Sequence, residues 1–144
     1  MPRRFAALLG LWLLCAHALA AVPERPRFRI VGAAQGLPST EIKALARDRA
    51  GYLWIATADG LARYDGVGMR VWRYDPADPQ GLPGNNVQDL MVGADNRIWL
   101  AVEGGGISVL DAQRRAFSHY RKATHPQLAS DDAWAFARQG DTVW

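Results

Sequence analysis

Short segments that alternate apolar and polar residues, separated by turn residues, run along positions 42–74. The segment at 52–57 is almost continuously apolar, which is typical of a strand buried on both faces. The turn at 48–51 begins with Asp and ends with Gly, and Asp59-Gly60 and Asp65-Gly66 are common hairpin dipeptides. The pattern therefore predicts an antiparallel sheet of four strands, at 42–46, 52–57, 61–64 and 69–74.

The same pattern recurs 45 positions later, where Gly81-Leu82-Pro83 repeats Gly36-Leu37-Pro38 and Trp99 repeats Trp54. One extra glycine in the run at 104–106 makes Gly105 the predicted counterpart of Gly60 and Asp111 the counterpart of Asp65. A period in the mid-forties built from short strands is typical of propeller blades. The strands predicted for the second repeat lie at 87–92, 97–102, 107–110 and 116–120.

The repeats divide the chain into domains. The predicted fold class is all-β: a partial β-propeller of two four-stranded antiparallel blades and the start of a third, after an N-terminal signal helix. The predicted domains are a signal peptide (1–20), a linker and first strand (21–35, with the strand at 28–31), blade 1 (36–80), blade 2 (81–127) and the opening of blade 3 (128–144). That opening holds a predicted strand at 133–137, a turn at Gly140-Asp141 and the start of a second strand. It stops at Trp144, where the central Trp of the repeat belongs, so we expect an N-terminal fragment of a longer parent.

Residues 1–20 have the features of a secretory signal peptide. Arg3 and Arg4 precede an apolar run, and Ala18-Leu19-Ala20 offers a small-residue cleavage site after Ala20. Two alternatives are an uncleaved membrane anchor, for which the apolar run is short, and a lipoprotein site at Cys15, which bulky residues precede. Cys15 is the only cysteine, so the mature chain contains no disulfide. We predict an exported, periplasmic protein.

Charge and reactive residues exclude several function classes. The formal net charge of +3 falls to +1 once the two arginines of the signal segment are removed, so no nucleic-acid partner is predicted. His119 and His125 are interpreted as surface histidines rather than metal ligands, and no metal or cofactor is predicted. The sequence contains no serine-hydrolase, zinc-protease or phosphate-loop motif, so no catalytic residue is predicted.

Other candidates have a structural interpretation beside the functional one. The glycine run at 104–106 is interpreted as a hairpin turn rather than a phosphate cradle. Asp131-Asp132 is interpreted as a turn rather than an acid–base pair. Trp54 and Trp99 are predicted in the core between blades, with sugar stacking as the alternative. Trp72 is either rim packing or a partner surface.

A ligand site is expected on one propeller face. In a four-stranded blade the loop entering the first strand and the loop between the second and third strands share that face. Polar groups that converge there, at the mouth of a central channel, suit a small polar ligand. The candidate ligand-binding residues of these loops are Ser39, Thr40, Glu41, Asp59, Asn85, Asn86 and Glu103.

These motifs resemble the repeat of the two-component regulator propeller family. In the first repeat they are Gly36-Leu37-Pro38, the Asp-to-Gly turn at 48–51, Leu-Trp-Ile-Ala-Thr at 53–57 and Gly-Leu-Ala-Arg-Tyr-Asp at 60–65. The second repeat departs from the pattern, since Gly93, Val102 and Leu110 stand in place of the turn Asp, Thr57 and Tyr64.

The resemblance implies the N-terminal part of a periplasmic ligand-sensing propeller that binds and does not catalyse. It implies a small polar or carbohydrate ligand, the missing blades of a longer parent as partners, and a homodimer of that parent. The parent would be anchored in the inner membrane and carry a histidine kinase or diguanylate cyclase output. The alternatives are a fragment of a propeller enzyme, of lyase or quinoprotein type, and a free-standing periplasmic scaffold.

Overall fold

The computed structural model describes residues 28–140 and 142–144. The predicted signal peptide at 1–20 with its cleavage site at Ala20, the linker at 21–27 and Asp141 lie outside the described residues. The chain divides into two units after Ile30, and every strand assigned among the described residues belongs to the second unit, Val31–Trp144. No helix within 28–140 or 142–144 has the length and apolar character needed to cross a bilayer.

Blade 1 is a four-stranded antiparallel sheet in sequence order. Its strands are β1 (Ile42–Arg47), β2 (Leu53–Thr57), β3 (Gly60–Tyr64) and β4 (Met69–Trp72). Strand β2 lies between two partners, with Trp54 opposite both Ala46 and Arg63. A register shift between Ile42 and Ala44 marks a β-bulge at the start of β1. The sheet predicted from alternation and turn residues is thereby confirmed, with β4 two residues shorter than expected.

Blade 2 repeats this sheet strand for strand. It consists of β5 (Val87–Val92), β6 (Ile98–Val102), β7 (Gly106–Leu110) and β8 (Phe117–Tyr120). A register shift between Val87 and Asp89 occupies the same place as the bulge of β1. Because the bulge recurs at the same repeat position, it is a property of the repeat and not of one blade.

Two predicted strands are not formed as expected. Residues 28–31 carry no strand and are followed by a 3-10 helix at Ala33–Gln35. Residues 133–137 are also not a strand, because the Phe136 amide donates to the Asp89 carboxylate (2.7 Å) rather than to a strand partner. A small hairpin forms instead from β9 (Arg138–Gln139) and β10 (Thr142–Val143).

The core lies between the two blades and draws from both. Trp54 and Leu61 of blade 1 pack in one buried cluster with Leu82, Ile98 and Leu100, which precede or belong to blade 2. Trp54 is fully buried, and the ring of Trp72 stacks on it at a centroid distance of 5.2 Å. The core interpretation of Trp54 and the rim-packing interpretation of Trp72 both agree with this arrangement.

Trp99 departs from the expected equivalence, because it is only half-buried whereas Trp54 is fully buried. Trp54 faces a complete neighbouring sheet, whereas a pocket beside Trp99 is lined by Arg138 and Val143 of the small hairpin. The same repeat position is therefore a core site in blade 1 and a partly exposed site in blade 2.

The two tight turns show which glycines correspond. Gly60 (φ 118°) and Gly106 (φ 73°) both have left-handed backbones, and a Cβ at either would overlap the carbonyl oxygen of the strand beside it, from Trp72 and Tyr120 respectively. Gly106, and not Gly105, is therefore the counterpart of Gly60. The predicted pairing was wrong because the inserted residue lies before Gly106, inside the turn. Asp65 and Asp111 both close turns by accepting backbone amides.

Candidate functional site

The two loops that were expected to share one face of each blade do meet. In blade 1 the Ala58 amide donates to the Glu41 carbonyl (3.1 Å), which joins the β2–β3 loop to the entry of β1. In blade 2 the Glu103 amide donates to the Asn86 carbonyl (3.0 Å) in the same way. These bonds fix the loop backbones at one end of each sheet.

A polar cluster occupies this end of blade 2. One oxygen of the Glu103 carboxylate, Oε2, accepts hydrogen bonds from the side-chain amides of Asn86 and Gln88, the latter at 2.9 Å. The Asn86 Oδ1 atom is buried, and no hydrogen-bond partner for it occurs among the described residues. The cluster therefore offers a carboxylate held in place by two amides beside an unsatisfied buried acceptor.

Blade 1 carries a smaller polar pair at the equivalent place. Glu41 Oε1 binds Lys43 Nζ at 2.5 Å, and the Glu41 amide donates to Ser39 Oγ at 3.0 Å. Lys43 stands 45 positions before Gln88, and the strands that carry them, β1 and β5, pack beside each other between the blades. The structure thus brings Glu41, Asn86 and Glu103 to the same end of two neighbouring strands.

Sequence reasoning missed Lys43 and Gln88. Both lie on the first strand of their blade, two residues after the loop positions that were selected. The signal was available, because side chains two residues apart on a strand point to the same face. Lys43 and Gln88 therefore extend the predicted loop site onto the strands.

Asn85 links the two blades, whereas Asp59 forms an ion pair within blade 1. The Asn85 carbonyl accepts the Gly60 amide (2.7 Å), and its Oδ1 accepts the Tyr74 amide (2.7 Å). The Asp59 carboxylate is held by Arg73 (2.9 and 3.1 Å). Thr40 is exposed at the equivalent position in blade 1.

The same link recurs one repeat later. The Asp131 carbonyl accepts the Gly106 amide (2.7 Å), and its Oδ1 accepts the Lys122 amide (2.6 Å). Asp131 therefore acts on the backbone of blade 2 as Asn85 acts on that of blade 1, in agreement with the turn interpretation of Asp131-Asp132. These hydrogen bonds connect each repeat to the preceding one. The carbonyl and Oδ1 oxygen atoms of Asn85 and Asp131 are therefore already occupied by backbone amides.

The histidines are held by neighbouring groups. His119 Nδ1 lies 3.0 Å from Ser108 Oγ, and its ring stacks on Phe117. Burial, and then the nearby Arg121 guanidinium, lower the pKa of His119 below its usual 6.5. His125 Nδ1 lies 2.9 Å from Thr124 Oγ1. Within the part of the chain that the structure describes, no three His, Cys, Asp or Glu side chains converge on a metal-sized site.

The chain matches a known repeat twice. Residues 36–59 and 81–104 each match the sequence model of the family described as two component regulator propeller. The two matched segments begin at the Gly-Leu-Pro motif of each repeat and end in the β2–β3 and β6–β7 turns. A comparison with curated proteins finds no significant match.

Several solved structures are similar. The extracellular domain of the hybrid two component system BT4673 from B. thetaiotaomicron is 24% identical over 67% of this chain and 14% of its own, with a TM-score of 0.51. PorZ, a surface component of the type-IX secretion system of Porphyromonas gingivalis, is 19% identical over 71% of this chain and 16% of its own, with a TM-score of 0.53. The extracellular domain of BT3049 from B. thetaiotaomicron, 22% identical over 76% of this chain and 22% of its own, has a TM-score of 0.45.

At these identities the likeness to solved structures establishes the fold and nothing further. The chain spans less than a quarter of the length of each of the three. Each of the two family matches covers the first two strands of a blade, and the sheets have the strand order and antiparallel pairing of propeller blades. Residues 36–59 and 81–104 therefore carry two copies of the repeat described as two component regulator propeller.

Proposed function

We propose that this chain is part of an exported ligand-sensing propeller of a two-component-type signalling protein, and that it binds a small polar ligand without catalysing a reaction. The proposed site is the polar cluster of Glu41, Lys43, Asn86, Gln88 and Glu103. The observation that carries the proposal is the Glu103 carboxylate, which two amides orient beside the buried and unsatisfied Oδ1 of Asn86.

The chemistry of the cluster favours a ligand rich in hydroxyl groups. A buried acceptor without a donor costs about 1–3 kcal/mol. Because Asn86 Oδ1 is inaccessible to solvent here, the side chain must turn outward for a ligand hydroxyl to remove that cost. Glu103 Oε1 supplies a second acceptor and Lys43 a donor. A small polyol or a sugar offers donors and acceptors in this proportion, whereas an apolar molecule would leave all of these groups unpaired.

The two repeat matches support the sensor role. The repeat is described by its place in two-component regulation, and the similar structure of BT4673 is the extracellular domain of such a system. An exported location, an inner-membrane anchor and a kinase or cyclase output in the parent are part of the proposal, as is dimerisation of the full-length parent. The two matched repeats lie in blades 1 and 2. The proposed ligand binds at the end of these blades where Glu41 and Glu103 lie.

Binding can be tested on the product of the natural gene with a panel of neutral monosaccharides, disaccharides and polyols, by thermal shift and then calorimetry. Glu103→Ala and Asn86→Ala should each weaken binding of any hit by roughly ten-fold or more, since hydrogen bonds to charged groups contribute about 1.5–3 kcal/mol. Asp95→Ala is the matched control, because this exposed carboxylate lies in the β5–β6 turn, at the other end of the blade. Unchanged affinity in Glu103→Ala would refute the proposed site.

A further inference from the structure

A cleft of about 560 Å³ lies at the outer edge of the two blades, away from the proposed ligand site. One wall comes from β4 of blade 1 and the other from the β7–β8 turn and the start of β8. Leu82, Trp72 and Phe117 supply apolar surface. Four arginines line it: Arg70, Arg73, Arg114 and Arg115.

Two of the four arginines are neutralised and two are not. Arg73 pairs with Asp59, and Arg114 pairs with Asp48. Among the residues that the structure describes, neither Arg70 nor Arg115 takes part in an ion pair. Asp78 also lines the cleft, where its Oδ1 accepts the Gln80 amide within its own turn. The cleft therefore holds two guanidinium groups that form no ion pair and one carboxylate, that of Asp78, so its unpaired charge remains positive.

Both of these guanidinium groups are carried by well-anchored backbone. Arg70 lies on β4 opposite Arg63, and its guanidinium stacks over the Trp72 ring at 4.6 Å. A stacked guanidinium keeps its N–H donors directed outward in its own plane, where they can bind a carboxylate. The Arg115 amide is held by Asp111 Oδ1 at 2.7 Å. The Arg70 guanidinium is therefore held in place, whereas Arg115 is anchored through its backbone and its side chain is exposed.

We propose that this cleft binds an acidic, extended peptide segment of a partner protein. A single small anion would fill only a small part of 560 Å³, whereas a peptide can place carboxylates on Arg70 and Arg115 and apolar atoms on Trp72. Strand β4 is the last strand of its sheet, so its outer backbone groups can pair with an added strand. Neutral donors from Gln80 and Gln113 complete the lining.

The test uses fluorescein-labelled hexaglutamate, with hexalysine as the opposite-charge probe, in anisotropy titrations of the natural gene product. The double variant R70Q/R115Q should weaken hexaglutamate binding roughly ten-fold or more. The matched control is R49Q/R97Q, which also removes two positive charges, but from the exposed β1–β2 and β5–β6 turns. This control should change the affinity less than about two-fold.

Two results would overturn the proposal. Equal weakening in the two double variants would mean that the peptide responds only to net charge. Displacement of hexaglutamate by submillimolar inorganic phosphate would mean that the cleft holds a single oxyanion. Near-UV circular dichroism checks the fold of each variant, and the single variant R115Q, at an exposed turn position, keeps the test valid if R70Q/R115Q unfolds; it should weaken binding several-fold.

Discussion

The Asp48 carboxylate and the Arg114 guanidinium form an ion pair at 3.1 Å that crosses from the β1–β2 turn of blade 1 to the β7–β8 turn of blade 2. Their side chains are only 2% and 7% exposed. The same carboxylate oxygen accepts the indole N–H of Trp54 at 2.9 Å, and the guanidinium lies 4.9 Å from the Trp54 ring centroid. One buried network therefore joins the turn Asp of the repeat, the repeat Trp and the next blade.

Removing the cation of this pair should be costly. Arg114→Met leaves Asp48 buried without its charged partner, and we expect a loss of about 3–5 kcal/mol in the free energy of unfolding. Arg73→Met breaks the exposed pair with Asp59 and should cost at most about 1 kcal/mol. Denaturant titrations compare the two variants. Equal losses would contradict the structural role assigned to the buried pair.

The pH dependence of stability should report on Asp48. Burial by itself raises the pKa of Asp48, but hydrogen bonds from Trp54, Arg114 and the Tyr52 amide outweigh it and lower the pKa below 3.8. The stabilisation is therefore complete above the unfolded-state pKa and is lost as the pH falls through the lower folded-state pKa. The free energy of unfolding, measured from pH 6 down to pH 2, should fall less steeply with decreasing pH in Asp48→Asn than in the natural protein. An unchanged slope would contradict the network.

His119 should act in a different pH window. Because burial and Arg121 lower its pKa below 6.5, the folded protein favours the neutral ring. Its contribution is complete above about pH 6.5 and is lost as the pH falls below that value, since the unfolded chain then binds the proton more readily. His119→Gln should remove the stability change just below pH 6.5 and leave the acid limb of Asp48 in place. An NMR titration of the imidazole gives the folded-state pKa directly.

The two repeat tryptophans should differ in energetic importance. Trp54→Ala removes a fully buried ring and should cost about 3–5 kcal/mol. Trp99→Ala removes a half-buried ring and, at the burial described here, should cost clearly less. Each variant serves as the control of the other, because both change the same repeat position. Equal costs in denaturant titrations of the natural gene product would show that the face of blade 2 is covered as fully as that of blade 1.

Residues 21–144 produced alone should be weakly structured or prone to association. Large apolar side chains remain exposed on them, among them Leu45 (57%), Trp134 (62%) and Trp144 (73%). Repeat blades gain stability by covering one another, and exposed apolar faces and strand edges promote aggregation. Circular dichroism melts and analytical ultracentrifugation measure the outcome. A sharp, cooperative transition from a soluble monomer would contradict this expectation.

The sequence alone determined the blades. Period-two alternation, the Asp-Gly turns and the 45-residue repeat predict both sheets, because strand pairing within a hairpin depends on residues close together in the chain. The recurrence of Gly36-Leu37-Pro38 and of Trp54 at Trp99 likewise reveals the repeat without any structure.

Only the tertiary structure decided which repeat positions are equivalent in environment. Trp54 and Trp99 share a motif, yet their burial differs because burial depends on what packs against the finished sheet. Arg114 carries no repeat signal, and it pairs with Asp48 across 66 positions because two turns from different blades meet. The arginine cleft arises in the same way, since β4 of blade 1 and the β7–β8 turn of blade 2 form its two walls. The hydrogen bonds around Glu103, by contrast, join neighbouring strands of one blade. Local patterns specify each sheet, and the packing of one sheet on the next creates the contacts between blades.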